Sequence, residues 1–121
     1  MHIKDIFDRS APPPHPGEVL REDILPKLRL SRAEVARHLK VSARSLGDLL
    51  RERRGITLDL AMRLGTAFGQ GAHFWLALQM QHDLWLAAQG EPPQVRRLDA
   101  RDYRAQPKSS HSRSAVATLS L

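Results

Sequence analysis

Between residues 15 and 89 the apolar side chains recur every three to four positions, the period of helices with one buried face. Val19, Leu20 and Ile24 set the first stripe. Pro16 opens it at a first-turn position that tolerates proline, predicting a helix across Gly17 to about Leu25. Ser31 and Glu34 have the spacing of a capping box, so a second helix runs to about Leu39 with Val35, Ala36 and Leu39 inward. Ser42 caps a third helix carrying Leu46, Leu49 and Leu50, and Gly55 suits the left-handed position after its end. Thr57 caps a fourth, with Leu60, Ala61, Leu64 and Phe68 inward and Gly69 as its terminator. A fifth spans about Ala72 to Gln89 and is apolar on more than one face. No stretch alternates with period two, so the pattern predicts an all-α domain of five helices.

The flanks read differently. Residues 1–14 end in Ala11-Pro12-Pro13-Pro14, which cannot be helical and makes a flexible, extended lead-in. Residues 90–121 open with Gly90-Glu91-Pro92-Pro93 and continue with few apolar groups. Such a tail buries too little surface to offset its ordering entropy and is expected to be disordered. The expected organisation is a flexible lead-in (1–14), one helical domain (15–89) and a basic, disordered tail (90–121).

Charge changes the picture most. The 121 residues carry 19 Lys+Arg against 13 Asp+Glu, a net +6, and residues 27–54 hold nine basic and three acidic groups, also net +6. The excess is a local footprint on the second and third helices, pointing to nucleic acid first and anionic lipid a distant second. With no cysteine, disulfide scaffolds, thiol catalysis and Cys-based zinc sites are excluded. The longest apolar runs, such as Phe74 to Leu78, fall far short of the ~20 residues of a membrane span. The N-terminus lacks an apolar stretch of signal-peptide length, and the expectation is a soluble, cytoplasmic protein with no membrane partner.

Only Lys40-Val41 separates the second helix from the cap of the third, which forces the axes to cross steeply, with Val41 plugging the corner against Leu39 and Leu46. That is a helix-turn-helix arrangement, whose second helix can enter a major groove of double-stranded DNA. Ala43, Arg44, Ser45 and Asp48 take its outward positions. Arg44 offers a two-donor fork for guanine, and Ser42 and Ser45 can bond a phosphate or a base edge. Gly47 leaves room for close approach. Arg51, Arg53 and Arg54 flank the groove as phosphate clamps, and Arg32 and Lys40 suit neighbouring phosphates.

The rest of the chemistry is sparse. The six histidines form no HxxxH or HExxH pair, His73 and His82 lie nine residues apart, and no metal site is expected. No nucleophile elbow, phosphate loop or paired carboxylates appear, so neither catalytic residues nor a cofactor are expected and the protein reads as a non-enzyme.

His15-Pro16-Gly17-Glu18-Val19-Leu20, Leu30-Ser31, Glu34-Val35-Ala36, Leu39-Lys40-Val41-Ser42, Arg53-Arg54-Gly55-Ile56-Thr57, Ala61-Met62-Arg63-Leu64, Phe74-Trp75-Leu76, Leu78-Gln79 and His82-Asp83-Leu84, in this order, resemble the HigA/VapI-type antitoxins, phage-repressor-like helix-turn-helix proteins. The resemblance covers about residues 15–88. It implies a bacterial homodimer that binds a palindromic operator in its own promoter and neutralises a HigB-type mRNA-interferase toxin. It also implies that Ser42–Arg53 reads the DNA and that the fifth helix packs in the dimer. Three features depart from the pattern: Lys40 stands where the turn often has glycine, Gly47 replaces a larger polar residue, and the tail lies outside the shared core.

The fifth helix carries more apolar surface than one copy of this size buries, so a second copy is expected to share it through Phe74, Trp75, Leu78 and Trp85. Two alternatives stand beside the antitoxin reading. One is a helix-turn-helix regulator with no toxin partner, decided by whether a small basic nuclease is encoded next door. The other is a protein-interaction module with vestigial DNA binding, which would show no salt-dependent binding to DNA.

Overall fold

A computed structural model describes residues 12–106. The first helix, α1, is Pro16–Val19. It runs on without a break into a π-helical turn at Leu20–Ile24 and a 3-10 turn at Leu25–Lys27, where Pro26 prevents regular helix from continuing. Then follow α2 (Arg32–Leu39), α3 (Ala43–Leu50), α4 (Leu58–Phe68) and α5 (Ala72–Ala88). The described residues contain no strand. The five-helix, all-α expectation holds, and the first helix departs from a regular α form over its second half.

One core joins all five helices. Val19 and Leu20 of α1 meet Val35, Ala36 and Leu39 of α2, Leu46, Leu49 and Leu50 of α3, Leu60, Ala61 and Leu64 of α4, and Trp75 and Leu78 of α5. Trp75 is fully buried with its indole N–H donating to Gln70 Oε1 at 3.3 Å, which satisfies the one polar atom of a large apolar side chain. Val41 is half-buried against this core, as its plugging role requires.

Two close approaches fix the packing. At Gly17 a Cβ would stand 1.8 Å from the Leu49 carbonyl oxygen, so only glycine lets α1 lie against the end of α3. At Gly65 it would stand 2.3 Å from the carbonyl carbon of Gly71, in the turn that brings α5 back across α4.

Among the described residues His15 is the first that is buried. Its Nδ1 accepts from the Gly17 N–H at 2.9 Å and caps α1, and its ring meets His82 edge-on with centroids 5.1 Å apart. His82 Nδ1 lies 3.1 Å from the Pro13 carbonyl oxygen, an acceptor only, so that nitrogen carries the proton and donates. After α5 the chain is irregular and exposed apart from a 3-10 turn at Ala100–Asp102. Asp99 and Asp102 form a capping box around that turn, and Arg96 and Arg101 pair with them. The expectations for residues 1–11 and 107–121 fall outside the described residues.

Candidate nucleic-acid interface

The corner between α2 and α3 is built by local hydrogen bonds. Ser31 Oγ accepts from the Glu34 N–H at 3.1 Å and donates to Glu34 Oε1 at 3.1 Å. Glu34 thus reaches back to the hydroxyl of its cap instead of the cap's N–H. At the other end Lys40 adopts φ 60°, ψ 42°, with its N–H on Arg37 O at 3.1 Å and the Val41 N–H on Ala36 O at 3.0 Å. These two bonds make a Schellman stop on a lysine. Ser42 Oγ then caps α3, accepting from the Ser45 N–H at 3.0 Å.

The end of α3 repeats the device. Glu52 takes φ 60°, its N–H bonds Leu49 O at 3.0 Å, and the Arg53 N–H bonds Asp48 O at 2.8 Å. This corrects the expectation for Gly55, which does not have positive φ. The space where its Cβ would sit is taken by the Gln79 amide, 3.0 Å away.

The residues picked from the sequence come together on this corner. Arg32, Lys40, Ser42, Ala43, Arg44, Arg51 and Arg53 are exposed, whereas Ser45, Asp48 and Arg54 are half-buried. The two hydroxyls are linked at the cap, Ser42 Oγ donating to Ser45 Oγ at 3.0 Å, which leaves the Ser45 hydroxyl hydrogen available to a further acceptor. Arg51 is drawn toward Asp48, with Nη1 to Oδ1 at 3.9 Å. Arg54 lines a cavity of about 190 Å³ with Ser42, Ser45, Thr57 and Asp59, behind the start of α3. Among the described residues no group of three His, Asp or Glu side chains is placed to hold a metal ion.

This geometry has close relatives. The chain is 45% identical over 75 residues to virulence-associated protein I of Dichelobacter nodosus, covering 62% of this chain and 69% of that one. Among solved structures, Pseudomonas aeruginosa antitoxin HigA with the higBA promoter is 47% identical, with a TM-score of 0.61 over 64% of this chain and 84% of that one. An addiction module antidote of the HigA family from Coxiella burnetii is 35% identical, with a TM-score of 0.61 over 65% and 86%. The chain belongs to the HigA-type antitoxin family of phage-repressor-like helix-turn-helix proteins. No family model matches it.

Four residues that hold the HigA-type corner in place were not singled out as site residues from the sequence. Arg63 of α4 donates from Nη1 to Leu39 O at 3.1 Å and to Lys40 O at 3.4 Å, while its Nε pairs with Asp59 at 2.8 Å. Arg21 donates to Leu50 O and pairs with Glu52 at 3.3 Å. Each guanidinium thus lies at the negative end of a helix, on carbonyls with no partner inside it. Gln79 Oε1 accepts the Ile56 N–H at 2.7 Å and ties the Arg53–Arg54 loop to α5. His15 supports the same region from α1. Burial holds its pKa below the ordinary histidine value, aided by His82 and opposed by Glu52 and Asp83. The signal available in the sequence was the His15, Arg63 and Gln79 positions within the HigA-like motif; nothing local marked Arg21.

The expected dimer residues separate into two groups. Trp75 and Leu78 are 0% and 1% exposed, so they belong to the core of a single chain and offer no surface to a second copy. This corrects their expected role: helical period alone does not say which of several apolar faces turns inward. Phe74 is half-buried, edge-on to Trp75 with centroids 5.3 Å apart. Trp85 is exposed, as are Met80, Leu84 and Leu86. Leu76, Met80, Leu84 and Ala87 line one shallow groove along the outer side of α5. Among the described residues no helix is long and apolar enough to cross a membrane.

Proposed function

We propose that this protein is the DNA-binding antitoxin of a HigBA-type module. As a homodimer it places the Ser42–Arg53 segment of each copy in the major groove of a palindromic operator in its own promoter. It also neutralises a HigB-type mRNA interferase by stoichiometric binding. The observation that carries this reading is the row of exposed cations on the helix-turn-helix corner, Arg32, Lys40, Arg44, Arg51 and Arg53. The structure of a relative 47% identical, the antitoxin HigA with the higBA promoter, supports it.

Arg32, Lys40, Arg53 and Arg54 supply phosphate contacts, and Arg44 discriminates bases. Ser42 and Ser45 position the helix start, whose free N–H groups suit a phosphate. The exposed Met80–Leu84 face of α5 and Trp85 supply the contact with a second copy, whose twofold axis matches a palindrome. The helical domain at 15–89 carries both activities, and the basic tail at 90–121, net +3, adds attraction for DNA. The protein works in the cytoplasm, without cofactor or metal.

The test is a salt series of binding by the full-length protein to DNA upstream of its own reading frame, against a scrambled duplex. Promoter-selective binding, with log affinity falling by about 0.9 per phosphate contact per log unit of salt, is expected. Weak binding that ignores sequence overturns the reading. A stable complex with the product of an adjacent nuclease gene checks the antitoxin half, and its absence leaves a stand-alone regulator.

A further inference from the structure

Arg51 stands at the C-cap of α3, one turn beyond Gly47. Helical side chains lean back over the preceding turn, and this one does so fully. A Cβ placed on Gly47 would lie 2.8 Å from Nη1 of Arg51 and 3.6 Å from its central carbon, so the guanidinium occupies the space the missing methyl leaves. The same Nη1 is 3.9 Å from Asp48 Oδ1, and the Arg51 side chain remains 57% exposed.

An arginine at the end of a recognition helix would ordinarily point past the groove, where it meets phosphates; base edges are met by residues nearer the helix start. Folding back by a turn moves this fork from the level of residue 51 to that of residue 47. Arg44, Gly47, Asp48 and Arg51 lie on one stripe of α3, at i, i+3, i+4 and i+7. The fork therefore joins Arg44 on the groove-facing surface. The Asp48 carboxylate lies 3.9 Å from one terminal nitrogen, a charge attraction that favours this placement of the fork without bonding it. The other donors stay free to face a pair of acceptors, the arrangement that guanine O6 and N7 present.

We propose that Arg51 is a second base-reading residue, held over Gly47 beside Asp48 so that its fork reads a guanine near the base pair facing Arg44. The inference rests on the operator-binding reading above. It makes residues 47 and 51 a single specificity unit, because any side chain at 47 displaces the fork while touching only the end of a flexible side chain.

The test takes full-length protein, selects duplexes from a library with a randomised core, and measures binding to single-base variants of the selected duplex. Arg51→Lys keeps the charge and loses the fork. It is expected to lose discrimination at one base pair of each half-site by roughly five- to 150-fold, with the salt slope kept. Gly47→Ala is expected to relax that same base pair although Arg51 is intact, and Arg44→Lys to relax a different one. Unchanged single-base discrimination by Arg51→Lys overturns the inference. So does an Arg51→Ala protein that weakens every duplex by one factor and loses about 0.9 from the salt slope, as a phosphate contact would. A wild-type protein that selects no sequence overturns the operator-binding reading as well. One that selects a site indifferent to Arg51 overturns this inference alone.

Discussion

Gly17 and Leu49 approach so closely that a methyl group on the first would stand 1.8 Å from the carbonyl oxygen of the second. The obstacle is backbone at the end of α3, so it cannot swing aside as a side chain would. Gly17→Ala must push α1 off α3, at a cost of about 1–3 kcal/mol, the usual range for overpacking. Urea denaturation measures it, and an unchanged midpoint would mean that α1 shifts freely.

Lys40 and Glu52 both hold left-handed backbone, which costs an L-residue roughly 1–2 kcal/mol. Glycine removes that strain but loses about 0.5–1 kcal/mol to its freedom in the unfolded chain. Lys40→Gly is therefore expected to stabilise the fold by about 0.5–1 kcal/mol. Glu52→Gly gains less, because it also gives up the pair with Arg21. Thermal melts of the two variants rank them, and an equal gain would show that the pair contributes nothing.

His15 predicts a pH dependence. Its Nδ1 must be unprotonated to accept from Gly17, and its pKa is lowered in the fold by burial and by His82. The unfolded chain, with a pKa near 6.5, takes up the proton first. The contribution is thus fully present above that value and is lost as pH falls below it toward the lowered folded pKa. His15→Asn keeps a capping acceptor and cannot titrate. Its stability should fall less than that of the wild type between pH 7.5 and 5.5, and parallel losses would assign the effect to the other histidines.

Leu84 and Trp75 should separate assembly from folding. Leu84 is 59% exposed and Trp75 0%. Leu84→Asp is expected to leave the circular dichroism and melting of the single chain intact while shifting sedimentation from dimer to monomer. Trp75→Ala empties the core and costs about 3–5 kcal/mol. A Leu84→Asp protein that still sediments as a dimer would move the interface elsewhere.

The helix starts were readable because N-caps are local. Ser31, Ser42 and Thr57 each accept from the N–H three residues on, as their spacing implied. The helix ends were less so. Gly55 was the obvious residue for the left-handed stop after α3, yet Glu52 takes it, with Arg21, 31 positions away in sequence, at its carboxylate. A stop made affordable by a distant partner leaves no local trace. The π-helical turn in α1 was equally invisible, since its apolar spacing matches an ordinary helix. For the candidate site, the exposure of Arg32, Lys40, Arg44, Arg51 and Arg53 was legible from charge and period; the fold-back of Arg51 over Gly47 is a side-chain conformation that no sequence pattern specifies.

The α2–α3 corner is pegged at both exits by arginines from other helices, Arg63 on Leu39 and Arg21 on Leu50. A segment held this way has little left to order when a duplex arrives. The heat-capacity change of complex formation should then follow the surface covered, with no added folding contribution. Adaptation to different sequences falls to side chains alone, so a shape mismatch must be met by bending the DNA and not by remodelling the protein.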